Sequence, residues 1–316
     1  MYRECVWVCP IPQVDVVSGG GGAGLEKIAV GDVVARKSHQ MDLLFAVVRI
    51  INPDARRGSA LIKGINVRLI ADAPLSDLVK VDPRRVEELK HNILKESKET
   101  ARKVFLRRVQ EEKAWGYRAR AAKDPAHDFI ELPGRVLHID GDNEYLKECL
   151  EYYSQLGVPI RGEYVPEAKQ PDRITELLED YLPEIVVMTG HDGLATKRGN
   201  RNDLDSYRTS RFFVEAVRKA RRFQPDRDAL VIVAGACQSH YEALIDAGAN
   251  FASSPERVFI HCYDPILVAE KISFTPVDNI AQVYEVIENT ITGIKGMGGV
   301  ETRGKFRLGL PKPKTD

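Results

Sequence analysis

The chain reads as an α/β protein, with a mainly parallel sheet carrying helices on both faces, preceded by a small β-barrel and a charged helical linker. Three observations predict this. From Pro133 onward, short apolar runs alternate with amphipathic stretches of helical period, the pattern of a parallel sheet with crossover helices. From Val30 to about Asp82, strand-length runs follow one another with only turn residues between them. Between these regions, residues 84–123 are dense in Lys, Arg and Glu, with Val86, Leu89, Ile93 and Leu94 near helical spacing.

Taken in order, residues 1–24 end in a glycine run, Ser18 to Gly24, which predicts a flexible tether. Cys5 and Cys9 lie in this tail, without a second Cys/His pair nearby to complete a metal site. Residues 25–82 carry runs at Val30–Lys37, Leu43–Ile50, Ser59–Lys63 and Asn66–Ile70, split by Asn52-Pro53-Asp54 and Arg57-Gly58. Several short strands in so few residues predict an SH3-like barrel. Residues 83–130 form the helical linker. Residues 131–295 form the α/β domain, and residues 296–316 a tail without clear periodicity.

Within 131–295 the expected strands are Arg135–Asp140, Val158–Val165, Ile185–Thr189, Leu230–Ala234 and Arg257–Cys262. The expected helices run from Asn143 to Leu156, Asp172 to Leu182, Ser210 to Phe223, just after Cys237 to Ala247, and Asn279 to Thr292.

Composition narrows the function. Lys+Arg and Asp+Glu are equal at 46 each, so no global field favours nucleic acid or a membrane surface. Five cysteines without a disulfide spacing fit a reducing compartment. No apolar stretch approaches the ~20 residues that span a bilayer, and the first ten residues lack a signal-peptide core. The expected location is cytoplasmic.

The chemistry concentrates at two strand ends. Ile185-Val-Val-Met-Thr-Gly-His191 and Leu230-Val-Ile-Val-Ala-Gly-Ala-Cys237 are matched segments whose reactive residues stand 46 positions apart. Ligands collect at the carboxyl ends of strands in open α/β sheets, so both side chains are delivered to one edge. A thiol beside an imidazole is the minimum apparatus of nucleophilic cysteine catalysis. The backbone amides of Gly193 or Asp192, with that of Cys237, would form an oxyanion hole. His240, His261 and Cys262 are weaker candidates; with Cys237 they offer a zinc set of no common spacing, and no metal or cofactor is expected. His138 stands beside Asp140-Gly-Asp142 at the same edge, and His39 belongs to the barrel.

An apolar strand ending in His, followed about 50 residues later by one ending in Ala-Cys, resembles the caspase-type cysteine peptidases, a group that includes clostripain, gingipain and separase. This chain departs from that group in placing Asp192 between His191 and Gly193. A resemblance over nearly the whole chain, outside residues 1–24, is to the YabG family of sporulation-specific peptidases. It is carried by Gly31-Asp-Val-Val-Ala-Arg-Lys-Ser-His-Gln-Met-Asp42, Val67-Arg-Leu-Ile-Ala-Asp72 with Asp77-Leu78, Thr189-Gly-His-Asp-Gly193 and Gly235-Ala-Cys-Gln-Ser239.

The resemblance implies a caspase-like peptidase domain with His191 and Cys237 as the catalytic pair, cutting after Arg in proteins of the spore coat and cortex. Association with the coat is expected as well, and the barrel is read as a platform that would dock protein partners. Recognition of a guanidinium needs a carboxylate; Asp264 is the first expectation for it, with Asp192 and Asp205 as alternatives. Exposed arginines in the loop Lys197–Arg211 and in the linker from Arg107-Arg108 to Arg120 are expected self-cleavage sites. Two other readings are a glutamine-amidotransferase-like thiol hydrolase and an RNA- or protein-binding module built on the barrel and basic helix.

Overall fold

The computed structural model describes residues 27–41, 43–53, 58–65, 67–115, 129–194 and 200–309. The N-terminal tail with Cys5 and Cys9, and the arginines at 118, 120 and 198, lie outside the described residues. The chain divides into two compact units, residues 1–96 and 97–316.

The first unit is a five-stranded antiparallel sheet. Its strands are β1 (Val33–Arg36), β2 (Leu44–Asn52), β3 (Ser59–Gly64), β4 (Ile70–Pro74) and β5 (Leu78–Lys80), in the order β4-β3-β2-β1-β5. Alternation along β3 buries Ala60 and Ile62, and with Val34, Phe45, Val47 and Ala73 they make its core. Asp77 closes this unit by accepting from Arg36 Nε (2.9 Å) and from both the amide and hydroxyl of Ser38 (2.8 and 2.7 Å).

Helix α1 (Pro83–Trp115) is 33 residues long and carries the division between the units. In the second unit its Arg107 and Arg108 guanidinium groups both reach Glu270, a carboxylate with no exposed surface (2.6 and 2.5 Å). These arginines were expected as exposed cleavage sites. They are instead largely buried within a continuous helix, because Glu270 needs cationic partners there.

The second unit holds a six-stranded sheet in the order β13-β11-β10-β9-β7-β8. Its strands are β7 (Val136–Asp140), β8 (Ile160–Tyr164), β9 (Ile185–Thr189), β10 (Val231–Ala234), β11 (Phe251–Ser253) and the antiparallel edge strand β13 (Met297–Gly299). A short strand β6 (Ile130–Leu132) precedes β7 and pairs with β15 (Arg307–Gly309), while β12 (Ile280–Ala281) pairs with β14 (Thr302–Arg303). The five parallel strands follow from apolar runs in which β7, β9 and β10 are buried at every residue.

Helices cover both faces. On one lie α2 (Asn143–Gln155), α6 (Asp264–Phe274) and α7 (Val283–Glu288), packing Tyr152, Leu267, Ile272 and Val286 on Val136, Val187 and Val233. On the other lie α3 (Gln170–Tyr181), α4 (Ser210–Phe223) and α5 (Tyr241–Ala247), packing Leu178, Phe213, Val217 and Leu244 on Leu137, Val186 and Ile232.

The chain runs from β7 outward to β8, then crosses back to β9 on the other side of β7. That reversal makes the carboxyl ends of β7 and β9 a topological switch point, the kind of place where α/β sheets hold their reacting groups.

Several expected elements differ. In the first unit the strand expected to end at Ile70 instead begins there, as β4. Arg257–Cys262 is a loop, and the strand after α5 is instead Phe251–Ser253, which starts as soon as Gly248 ends the helix. The backbone of Val258 and Ile260 bonds to the Gln238 and Cys237 segment rather than to a strand. The expected helix Asn279–Thr292 shortens to α7. Part of the expected tail enters the sheet as β13, where Cβ atoms would not fit: one at Gly299 would stand 2.4 Å from Asn250 O.

Candidate active site

His191 and Cys237 leave adjacent parallel strands at the same level. Ala234 of β10 pairs with Met188 of β9, and each reactive residue stands three positions beyond that pair. Gly235, at φ +109°, turns the chain sharply out of β10; a Cβ there would also meet Leu244 Cδ1 at 2.9 Å. Cys237 follows in a turn closed by Ser239 N to Ala236 O (3.3 Å). Helix α5 begins at Tyr241, further along than the sequence predicts.

Cys237 has no exposed surface. Its Sγ accepts from Ile260 N (3.3 Å) and donates to Ile260 O (3.7 Å), so the 254–262 loop lies directly on the thiol. His191 is 9% exposed. Its amide donates to Glu167 Oε1 (2.8 Å), and its Nδ1 lies 3.4 Å from the same oxygen. Its Nε2 is 3.4 Å from Asp142 Oδ2 but makes no hydrogen bond. Asp142 itself caps α2 through Oδ1, accepting from Glu144 N and Tyr145 N.

Glu167 was not singled out by sequence. It lies in a 3-10 turn between β8 and α3 and reaches across the end of β7. Burial pushes its carboxyl up, but hydrogen bonds from the His191 ring and amide outweigh this and hold it below the ordinary carboxylate value.

Asp192 is almost fully buried and acts as a tie. Its Oδ1 accepts from Gly193 N (2.8 Å) and Thr209 N (3.0 Å); its Oδ2 accepts from the hydroxyls of Ser239 (2.9 Å) and Ser210. The Gly193 amide expected in an oxyanion hole is therefore engaged by Asp192. The Asp192 carboxylate, one alternative for binding a guanidinium, is likewise saturated.

Asp264, the first expectation for that role, has no exposed surface and is also filled by its own chain. It accepts from His261 N (3.0 Å), Ile291 N (2.7 Å), Thr292 N (3.2 Å) and the Thr292 hydroxyl. Starting α6, it pins the 290–292 segment and has no oxygen left for a substrate. Asp205 is exposed, in a 3-10 turn of the loop after His191.

Three other histidines have local duties. His240 caps α5 through Nδ1 (3.3 Å to Ala243 N). His261 Nδ1 accepts from Tyr263 N (3.1 Å). His138 is fully buried, with Nε2 at Thr189 Oγ1 (2.8 Å) and Nδ1 at Tyr153 OH (3.3 Å). Among the described residues, the one group whose possible ligand atoms all lie within 4.8 Å of each other is His138, Asp140 and Cys149, rather than the Cys237, His240, His261 and Cys262 set. Cys149 lies in the hydrophobic core with Tyr152, Tyr153 and Leu156.

The family described as YabG peptidase U57 matches residues 29–311, a span that includes every strand end described above. The sporulation-specific protease YabG of Bacillus subtilis (strain 168) is 47% identical over 289 residues, covering 89% of this chain and 97% of that protein. No solved structure matches the chain. With both the family match and this relative spanning the two units, the chain belongs to the YabG peptidase family.

Proposed function

We propose that this peptidase is a sporulation-specific cysteine endopeptidase of caspase-like fold that cuts after Arg, with Cys237 as nucleophile and His191 as proton carrier. The observation that carries the reading is the equal step of the two residues beyond the Ala234–Met188 pair. His191 takes the thiol proton as sulfur attacks the scissile carbonyl carbon. The C–N bond then breaks as His191 returns that proton to the leaving amine. Water, deprotonated by His191, attacks the thioester; the new carboxylic acid leaves and the thiol is restored. The amides of Cys237 and Asp192 are the proposed donors to the oxyanion. No cofactor takes part in these steps.

Of the carboxylates expected for arginine recognition, Asp205 is the exposed one, and the reading assigns the guanidinium to it. The substrates in this reading are proteins of the spore coat and cortex; the name of the B. subtilis relative supports a sporulation-specific protease. The five-stranded N-terminal unit, an SH3-like barrel in this reading, docks coat proteins and brings the enzyme to the coat. Among the described residues no helix is long and apolar enough to cross a membrane. Self-cleavage belongs to the loop after His191, where Arg201 and Arg208 are exposed.

The test compares the full chain with Cys237→Ala and His191→Ala on a fluorogenic peptide ending in Arg, while gels follow the intactness of each chain. Turnover and trimming by wild type alone are expected. Equal turnover by the three proteins would overturn the assignment of the pair.

A further inference from the structure

We infer that Glu167 is the third member of the catalytic apparatus, a positioning residue that fixes the tautomer of His191 and stabilises its protonated ring. This rests on the Cys237–His191 reading above.

The geometry converges on that role from several sides. Glu167 Oε1 receives the His191 amide at 2.8 Å and faces Nδ1 at 3.4 Å, so one oxygen addresses both the backbone and the ring. The carboxylate lies in a slot between two glycines, each just past the end of a strand. A Cβ on Gly141 would stand 2.3 Å from Oε1, and one on Gly190 would stand 2.4 Å from it. Both strand exits therefore leave room for this side chain. Real Cβ atoms do not approach so closely, so either substitution would move the carboxylate.

The turn that carries Glu167 is anchored separately. Gln170 is fully buried and donates Nε2 to Thr189 O (2.8 Å) and Val165 O (3.3 Å), bridging β9 and the end of β8. The carboxylate is thus held in place independently of the imidazole, as a preorganised partner must be.

The other ring nitrogen completes the argument. Nε2 of His191 is buried and makes no hydrogen bond, although Asp142 Oδ2 faces it at 3.4 Å; Asp142 remains in place when Glu167 is changed, so the Glu167 variants report on the Nδ1 side alone. With Nδ1–H directed at Glu167, Nε2 is the basic nitrogen and the one that exchanges a proton with the thiol. The arrangement has the logic of an acid–imidazole–nucleophile triad: the carboxylate selects the tautomer and favours the imidazolium, without taking the proton itself. Glu167 also explains why a local sequence search finds only two members. It comes from the turn after β8, two strands away from β9 in the sheet.

The decisive variant is Glu167→Gln in the full chain. It keeps an oxygen for the His191 amide and removes the charge. On an Arg-ended fluorogenic peptide, kcat should fall about 10- to 100-fold with KM unchanged. The acidic limb of the kcat/KM profile should move to lower pH, because the anion favouring the protonated ring is gone and the base stays neutral further down. Glu167→Asp should recover part of kcat. Wild-type kcat and an unmoved profile in Glu167→Gln would overturn the assignment, whereas a purely structural glutamate would lower melting temperature without moving the profile.

A second readout does not depend on turnover. Ring ¹⁵N shifts of His191 in full-length Cys237→Ala should show the neutral ring protonated on Nδ1, and protonation on Nε2 would equally overturn it. Full activity in His191→Ala would signal failure of the underlying pair, and this inference would fall with it. Loss in His191→Ala beside full activity in Glu167→Gln would reject Glu167 alone.

Discussion

Ser239 donates its hydroxyl to Asp192 Oδ2 at 2.9 Å, so the residue after His191 is tied to the residue two beyond Cys237. The same carboxylate holds Gly193, Thr209 and Ser210. One buried aspartate thereby fixes the distance between two strand exits and the start of α4.

Replacing Asp192 by Ala should cost about 2–4 kcal/mol, because it strips several hydrogen bonds from a charged acceptor and leaves buried donors unmatched. Peptide turnover should fall as well, since the two exits lose their common tie. Urea unfolding monitored by circular dichroism checks the first; a midpoint equal to wild type would show that the network carries no stability.

Asp264 gives a pH signature. Burial pushes its carboxyl up to about 6, against the pull of its four donors. A carboxyl raised in the folded state contributes stability in its protonated form and loses that contribution as pH rises from the ordinary value through about 6. Wild type should therefore gain about 1 kcal/mol over Asp264→Asn on moving from pH 7 to pH 5. Parallel stability curves for the two proteins across that range would contradict the assignment.

The thiol of Cys237 should alkylate slowly, since the loop carrying Ile260 covers it. That loop is held by Arg257, whose guanidinium meets Tyr207 OH (2.8 Å) and Glu242. Ser254 and Arg257 both sit at positive φ, 68° and 58°, a conformation that side chains other than glycine resist. Removing the anchor with Arg257→Ala should raise the open population, and hence iodoacetamide labelling of Cys237, on the order of 5- to 30-fold for a loss of about 1–2 kcal/mol. Mass spectrometry of the labelled chain measures it; an unchanged rate would mean that the loop is held otherwise.

Glu270→Ala should destabilise the second unit by about 3–5 kcal/mol, because Arg107 and Arg108 would be left without their buried counter-charge. It should also make α1 a substrate for trypsin at Arg107 or Arg108, where the wild-type helix resists. Trypsin maps that match wild type would contradict this.

Much of the site is visible in sequence because it sits on strands whose apolar runs are unmistakable. His191 and Cys237 are found by matching Ile185–Thr189 to Leu230–Ala234, and α4 begins and ends at Ser210 and Phe223 as its amphipathic pattern predicts. Glu167 is not visible, since its place depends on the chain reversing direction across β7, which no local pattern encodes. The available signal was Gly141 and Gly190 in Asp-Gly-Asp and Thr-Gly-His, two glycines marking a close approach. The run Val258–Ile260 looks like a strand because its residues are apolar, but it is a loop over the thiol in which Ile260 is the buried one. Met297-Gly-Gly299 lacks every strand preference and is a strand all the same, because β11 presents an edge too crowded for side chains.

That edge strand bears on when the enzyme can exist. The residues of β13 leave the ribosome well after those of β10 and β11, yet they complete the sheet beside β11, one strand removed from the strand that leads to Cys237. Until they arrive, β11 exposes a row of unsatisfied backbone groups, open to any stray extended chain. A nascent chain therefore carries both reactive residues before it has a finished sheet to hold them. The order of synthesis itself defers peptidase assembly until nearly all of the folded domain has been made.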